Sequence, residues 1–350
     1  MLTPYLEDLE GRLSSEVEEA LLAEWRAFLA GQFKGDVFAP RRSAKAPSRL
    51  EWPRVLVNDA LDDFEKMVLQ QLRGCSEVLA GGSGSILCVR ANYGTAIIPS
   101  LFGVEIFRME RDQDTLPTSV PLGGDEQAIR ALLARGVPEP RPGLLAGQTL
   151  DTSRRMAALF RDYPKVQRFV RIYHPDYQGP MDICEMVWGS SLFLDVLDKP
   201  DLVHQFLGLL TETYIRMMRE WQAIVPFSDD GIEAHWGFLH RGHITLRDDS
   251  AMNFSPAMFE EFIEPYDRRL LAEFGGGVVH FCGRGSHYIH RMAAMPGVTG
   301  IAMSQPEYNN METIWQHTVD RGLDMLGFSR AAADKALAEG RALRGRVHCW

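Results

Sequence analysis

His280 and Cys282 form the residue pair in this chain whose types and spacing best suit metal chemistry. They lie in the run GVVHFCG at 277–283, where β-branched residues predict a buried strand and the last glycine predicts its end. Because side chains alternate along a strand, both residues project from one face. The pattern predicts an imidazole and a thiol converging at a strand end, where α/β folds place their chemistry. The alternative is a buried thiol beside a hydrogen-bonded core histidine.

Two further residues are candidates to complete a metal site with this pair. Cys349 follows a short strand-like segment, and two thiolates with one imidazole suit Zn(II) while leaving a fourth position for water or substrate. Its neighbour His348 must face the opposite way on a strand, so only one of the two can reach a shared centre. Glu307, which lies past the end of the next predicted strand, is the candidate fourth zinc ligand. The alternative for Cys349 is a disordered chain end.

Arg247, Asp248 and Asp249 are the candidate catalytic residues. They end a His- and Asp-rich segment, 228–252, whose histidines and carboxylates suit either a metal site or a solvated loop. We expect Asp248 or Asp249 to close a strand and to face the pocket of His280. There a carboxylate could orient a ligand histidine or transfer a proton.

The elements that must position these residues alternate between strand and helix patterns. This alternation predicts a single (β/α)8 barrel at 81–350, with a doubly wound sheet as the second choice. Residues 1–80 are predicted to form an N-terminal helical extension packed on the barrel, with 34–55 as an irregular arm over its surface. Ser255 followed by Pro256 predicts a helix start, and Pro265 predicts a kink or a new start.

The composition limits the partners and the compartment. A net charge of −10 argues against nucleic acid, and no apolar run approaches the roughly 18 residues that span a bilayer. Five scattered cysteines do not resemble a disulfide framework. We therefore expect a cytoplasmic protein that acts on a small molecule.

Several segments, taken in order and spacing, resemble the uroporphyrinogen decarboxylase superfamily, and within it the cobalamin-dependent methyltransferase branch. The resemblance covers roughly residues 165–300 well and the rest loosely. The matching segments are QGPMD at 178–182, DKPDLVH at 198–204, DDSAM at 248–252, FSPAMF at 254–259, IEPY at 263–266 and HFCG at 280–283.

This resemblance implies a (β/α)8 barrel that binds zinc through His280, Cys282 and Cys349. It also implies a thiol substrate held as thiolate, a methyl group carried on a separate corrinoid (cobalamin) protein, and a homodimer. Related cobalamin-independent methionine synthases add a glutamate, whereas the equivalent strand end here offers Ser304, Gln305 and Glu307, which leaves the fourth ligand open.

The Arg-rich N-terminal segment of true uroporphyrinogen decarboxylases is absent, so the sequence argues against that activity. The expected function is a zinc-dependent methyltransferase, or demethylase component, that moves a methyl group between a corrinoid protein and a thiol. The alternatives are a metal-free decarboxylase-type lyase acting on a small carboxylated substrate through Asp248 or Asp249 with Arg247, and a binding module with a vestigial pocket.

Overall fold

Twelve strands build the sheets of this protein, whose computed structural model describes all of residues 1–350. The strands are β1 Val37–Phe38, β2 Cys88–Val89, β3 Glu105–Phe107, β4 Thr118–Val120, β5 Arg171–Ile172, β6 Ile232–His235, β7 Phe238–Arg241, β8 Ile244–Arg247, β9 Gly277–Phe281, β10 Val298–Met303, β11 Asp324–Phe328 and β12 Val347–Cys349.

A six-stranded parallel sheet, in the order β1-β12-β11-β10-β9-β8, forms the centre of the fold. A separate two-stranded parallel sheet pairs β2 with β5, while β3–β4 and β6–β7 are antiparallel. The first strand therefore lies beside the last. The mixed α/β class is confirmed. No ladder joins the six-stranded sheet to the β2–β5 sheet, so a complete eight-stranded barrel is not shown.

Fifteen α-helices surround and connect the strands, as parallel pairing requires. They are α1 Thr3–Arg12, α2 Ser15–Leu29, α3 Val57–Asp62, α4 Phe64–Gly81, α5 Glu126–Arg135, α6 Leu145–Phe160, α7 Pro164–Phe169, α8 Pro180–Trp188, α9 Leu192–Asp198, α10 Pro200–Gln222, α11 Pro256–Phe262, α12 Glu264–Glu273, α13 Ile289–Met292, α14 Met311–His317 and α15 Arg330–Ala338. None of them combines the length and the apolar content needed to cross a bilayer.

Side chains of the central strands separate into two cores, because consecutive residues face opposite sides of a sheet. Val278, Ala302 and Leu326 belong to the smaller core, where they join the aromatic face of α2, including Trp25. Their sequence neighbours pack in the larger core. The Trp25 indole also donates a 3.0 Å hydrogen bond to the Gly84 carbonyl, which fixes α2 against the strands. Burying one such large apolar side chain contributes about 1.5–3 kcal/mol.

Within 1–80 the structure differs from the predicted surface arm. Val37 and Phe38 form β1, which pairs with β12, and Phe38 is buried beside Trp25. A strand of only two residues, set among glycine, proline and basic residues, leaves no periodic signal. The boundary at residue 80 stays a prediction, but this segment contributes a strand to the central sheet.

The helix start at Ser255 is confirmed: its hydroxyl accepts a hydrogen bond from the Met258 amide, and Pro256 opens α11. Pro265 lies in the first turn of α12, so the chain starts a new helix there. The segment 228–252 is not a plain connection. It contains the β6–β7 hairpin and strand β8.

Candidate metal centre

Strand β9 delivers His280 and Cys282 to one site, as the sequence predicts. All five residues of β9 are buried, and Cys282 follows directly after its end. The His280 Nε2 atom lies 3.3 Å from the Cys282 sulfur. The Cys282 thiol also lies 3.5 Å from the Ser304 hydroxyl, which follows β10.

The glycine turn after Cys282 is fixed by side chains from the segment that follows β10. Gly283 has a φ of 70°, a left-handed conformation that favours glycine, and its amide donates to the Gln305 side chain at 2.6 Å. The Asn309 amide group donates to the Gly283 carbonyl at 2.8 Å and accepts from the Gly285 amide at 2.7 Å. These bonds hold Cys282 in place from the far side of the turn.

Asp249 is the third member of the site. Its Oδ1 lies 3.5 Å from His280 Nε2, and the ligand atoms of Asp249, His280 and Cys282 all lie within 4.8 Å of one another. The position of Asp249 is set by Asp182 on α8, whose carboxylate accepts hydrogen bonds from the amides of Asp249 at 3.0 Å and Ser250 at 2.7 Å. The segment after β8 and the end of β9 therefore bring their ligand atoms into one cluster, although they are distant in sequence.

The two separations from His280 Nε2, to the Cys282 sulfur and to Asp249 Oδ1, are close to those around a tetrahedral zinc ion. With Zn–S of about 2.3 Å and Zn–N or Zn–O of about 2.0–2.2 Å, tetrahedral angles place sulfur and nitrogen about 3.6 Å apart, and nitrogen and oxygen about 3.4 Å apart. The corresponding separations here are 3.3 Å for His280–Cys282 and 3.5 Å for His280–Asp249. Asp249 Oδ1 is buried and receives no hydrogen bond. The donor set and this unpartnered oxygen both suit a bound cation.

The electrostatics of the cluster also favour a cation. Burial lowers the pKa of His280 to about 4, against the opposite influence of Asp249, so its imidazole is neutral at pH 7. Burial, reinforced by Asp249, raises the pKa of Cys282 to about 11. Without a positive charge the thiol keeps its proton, whereas metal coordination deprotonates a thiol outright.

Arg247 projects from β8 near this site, but its guanidinium group is fully engaged. It pairs with Asp176, bonds to His235 Nε2 at 2.9 Å and to the Tyr177 carbonyl at 3.1 Å, and lies 4.6 Å from the centroid of the Trp236 ring. At 3% exposure it is buried. Through these contacts Arg247 holds Trp236 and Asp176 in place next to His280.

Asp248 faces away from the cluster. It is fully buried, and a Cβ on Gly179 would lie 2.7 Å from its Oδ1. Burial and the neighbouring carboxyl of Asp267 raise the pKa of Asp248 well above its ordinary value. Of the two candidate aspartates, the structure brings only Asp249 to His280, because β8 ends at Arg247 and the 3-10 turn Asp249–Asn253, held by Asp182, then sets the direction of each side chain.

Cys349 is not part of the cluster. Its neighbour His348 faces the smaller core, where its ring lies 4.5 Å from that of Trp25, so alternation turns Cys349 towards the larger core. Burial raises the pKa of Cys349 to about 11, and the charged groups that act on it are Arg330 and Asp334 on α15. The strand periodicity that brings His280 and Cys282 together thus separates Cys349 from them.

Glu307 also lies outside the cluster. It is exposed in a 3-10 turn, Pro306–Tyr308, and lines a surface groove with Trp315 and Lys335. The turn carries the side chain past the strand end and onto the outer surface.

The histidines of the 228–252 segment do not gather into a metal site. His235 and His240 are buried, and burial lowers the pKa of His240 to about 4. His235 bonds to Arg247, and His240 Nε2 lies 3.3 Å from the Thr245 hydroxyl. Both histidines therefore serve as hydrogen-bond partners of other buried polar side chains.

Sequence reasoning missed the supporting roles of Asp182, Asn309 and Trp236. Each acts from a segment far from His280 in sequence, so spacing carries no signal of it. Asp182 falls within the QGPMD segment, which is the one feature that draws attention to it.

Comparison with known proteins shows a shared fold. Among solved structures, the chain matches a methyltransferase from Methanosarcina mazei with a TM-score of 0.59 and 18% sequence identity, over 94% of this chain and 92% of that chain. No protein-family model and no curated protein matches the sequence. At this level of identity, the likeness concerns the fold.

Proposed function

We propose that this protein is a zinc-dependent methyltransferase, or demethylase component, that moves a methyl group between a corrinoid protein and a thiol. The observation that carries the proposal is the cluster of Asp249, His280 and Cys282 after the ends of adjacent parallel strands. The fold shared with a methyltransferase and the resemblance in residues 165–300 support it.

His280, Cys282 and Asp249 would hold the zinc ion and leave one position for substrate. When bound, zinc acts as a Lewis acid that lowers the pKa of a coordinated thiol, so that its sulfur is nucleophilic at neutral pH. The substrate thiol loses its proton and gains the methyl group, while the donor keeps the electron pair of the broken bond. Asp182 orients Asp249 through the hydrogen bonds that its carboxylate accepts from the backbone amides of Asp249 and Ser250.

The remaining parts of the proposal follow from the resemblance. We propose that the two parallel sheets are arcs of a (β/α)8 barrel, that the methyl carrier is a separate cobalamin protein, and that the protein acts in the cytoplasm as a homodimer. The placement of β1 beside β12 supports the barrel, because a barrel brings the first strand next to the last.

The experiment is metal analysis of the purified protein together with X-ray absorption at the zinc edge. We expect one zinc per chain, with one protein sulfur and the rest nitrogen and oxygen neighbours. Two sulfur neighbours would instead require Cys349. Methyl transfer from methylcobalamin to a series of small thiols then tests the activity, and metal-free protein that still transfers methyl groups would contradict the proposal.

The metal-free lyase finds less support in the site. A lyase of this kind would use Arg247 with Asp248 or Asp249 for catalysis. The Arg247 guanidinium is already hydrogen-bonded to Asp176, His235 and the Tyr177 carbonyl, and Asp248 faces Asp267. Neither group is placed to meet a substrate carboxylate.

A further inference from the structure

Three aromatic residues form a cleft next to the metal-centre residues. The ring of Phe238 lies 6.3 Å from the rings of both Trp236 and Trp350, so both indoles pack near it. These rings line a cavity of about 560 Å³ that also contacts His280 and Ser304. The cleft is therefore open towards the position where zinc would bind.

Trp236 is placed by the turn of the β6–β7 hairpin. His235 pairs with Phe238, so Trp236 and Gly237 are the two turn residues, and their φ values of 46° and 90° are the positive ones that such a turn requires. Arg247 lies 4.6 Å from the ring centroid, and the His280 ring meets the indole edge at 5.0 Å. The hairpin turn and these two contacts together hold the Trp236 ring beside His280.

Trp350 depends on two glycines for its place. Gly237 and Gly327 both have positive φ, and a Cβ on Gly237 would come within 3.2 Å of the Trp350 ring. Half of the Trp350 side chain is exposed. One wall of the cleft is thus an aromatic surface that no other part of the chain covers completely.

Charge decides between the ligands that an aromatic cleft can take. Quaternary ammonium groups and flat aromatic rings both bind to indole faces. No aspartate or glutamate lines this cavity, while Arg330 does, and Arg247 stands behind Trp236. The one carboxylate paired with Arg330 is Asp334, in an exposed bond that contributes little. A cation is disfavoured here and an anionic aromatic compound is favoured.

We propose that the cleft binds a small aryl carboxylate, with its ring between Trp236 and Trp350 over Phe238 and its carboxylate towards Arg330. The end of the ring nearest His280 would then present the reacting group. This orientation rests on the proposed function, because it makes the aryl compound a substrate of the zinc site. Binding of the aryl carboxylate in the cleft does not depend on the proposed function.

The test is isothermal titration with 2-naphthoate as the probe, on zinc-loaded and on chelator-treated protein. Cyclohexanecarboxylate serves as the non-aromatic comparison and benzyltrimethylammonium as the cationic one. The variants are Trp350→Ala, Trp350→Phe and Arg330→Gln, with Trp52→Ala as the matched control, because Trp52 packs on Tyr5 away from the cleft.

We expect 2-naphthoate to bind in both forms of the protein and more tightly than either comparison compound. Affinity should fall about tenfold or more in Trp350→Ala and in Arg330→Gln, recover in Trp350→Phe, and stay unchanged in Trp52→Ala. Binding that vanishes on zinc removal, tighter binding of the cation, or unchanged affinity in Trp350→Ala would overturn the proposal. Failure to find zinc with naphthoate binding intact would count against the proposed function alone.

Discussion

Replacing Cys282 by serine should abolish tight zinc binding without unfolding the chain. Cys282 contributes one of three ligand atoms, and its sulfur lies 3.3 Å from the nitrogen of His280. Loss of a residue that merely orients a ligand costs about 10–100-fold in metal affinity, so loss of a ligand should cost at least about 100-fold, or about 2.7 kcal/mol. We expect Asp249→Asn to weaken binding in the same direction.

The assay is competition with a chromophoric chelator at pH 7, with circular dichroism to confirm the fold. Cys349→Ser is the matched control, because the structure turns that thiol towards the larger core. We expect it to keep the zinc affinity of the unmodified protein. Unchanged affinity in Cys282→Ser, or loss of zinc in a folded Cys349→Ser, would refute the ligand set.

Three other predictions concern a buried ion pair of α2, a histidine of the smaller core and the glycine turn after Cys282. Arg42→Met removes the two hydrogen bonds, of 2.7 and 2.8 Å, that the Arg42 guanidinium donates to the buried Glu18 carboxylate, and should lower the free energy of unfolding in urea by about 3–5 kcal/mol. Replacing Glu18 by leucine as well should recover most of this loss, and a loss below about 1 kcal/mol in the single variant would contradict the argument. Burial lowers the pKa of His348 to about 3, so this residue takes up a proton more readily in the unfolded chain and on its own lowers stability by about 1.4 kcal/mol per pH unit as the pH falls from about 6.5 towards 3. His240 and His280 act in the same direction, so His348→Gln should make the decline shallower by that amount, whereas parallel stability curves would count against the prediction. Gly283→Ala places a Cβ at a φ of 70° in the turn after the thiol ligand and should reduce zinc affinity by about tenfold, while Gly103→Ala, with a φ of 77° but open space around it, should leave the affinity unchanged.

The sequence predicted the parts of the fold that carry strong local signals. Strand β9 and the helix start at Ser255 are confirmed, because a buried β-branched run and a capping hydroxyl before proline each act through neighbouring residues. Strand β1 and the β6–β7 hairpin were missed. Their pairing partners, not their own residue types, make them strands.

The site shows the same limit. Alternation placed His280 and Cys282 together, since both lie on one strand. It could not decide between Asp248 and Asp249, because one residue of uncertainty at a strand end exchanges the two faces. For the same reason the pattern left open which of His348 and Cys349 faces the smaller core.

The pairing of β1 with β12 has a consequence during synthesis. Val37 lies opposite Val347 in the register, so the earliest strand of the central sheet pairs with a segment that is made about 310 residues later. At about 5–20 residues per second, β1 emerges roughly 15–60 s before its partner exists. Throughout that interval its backbone groups stay unpaired, exposed to other nascent chains or to a chaperone. The central sheet is therefore completed only after β12 has been made, and until then the aromatic face of α2 lacks part of the core that covers it.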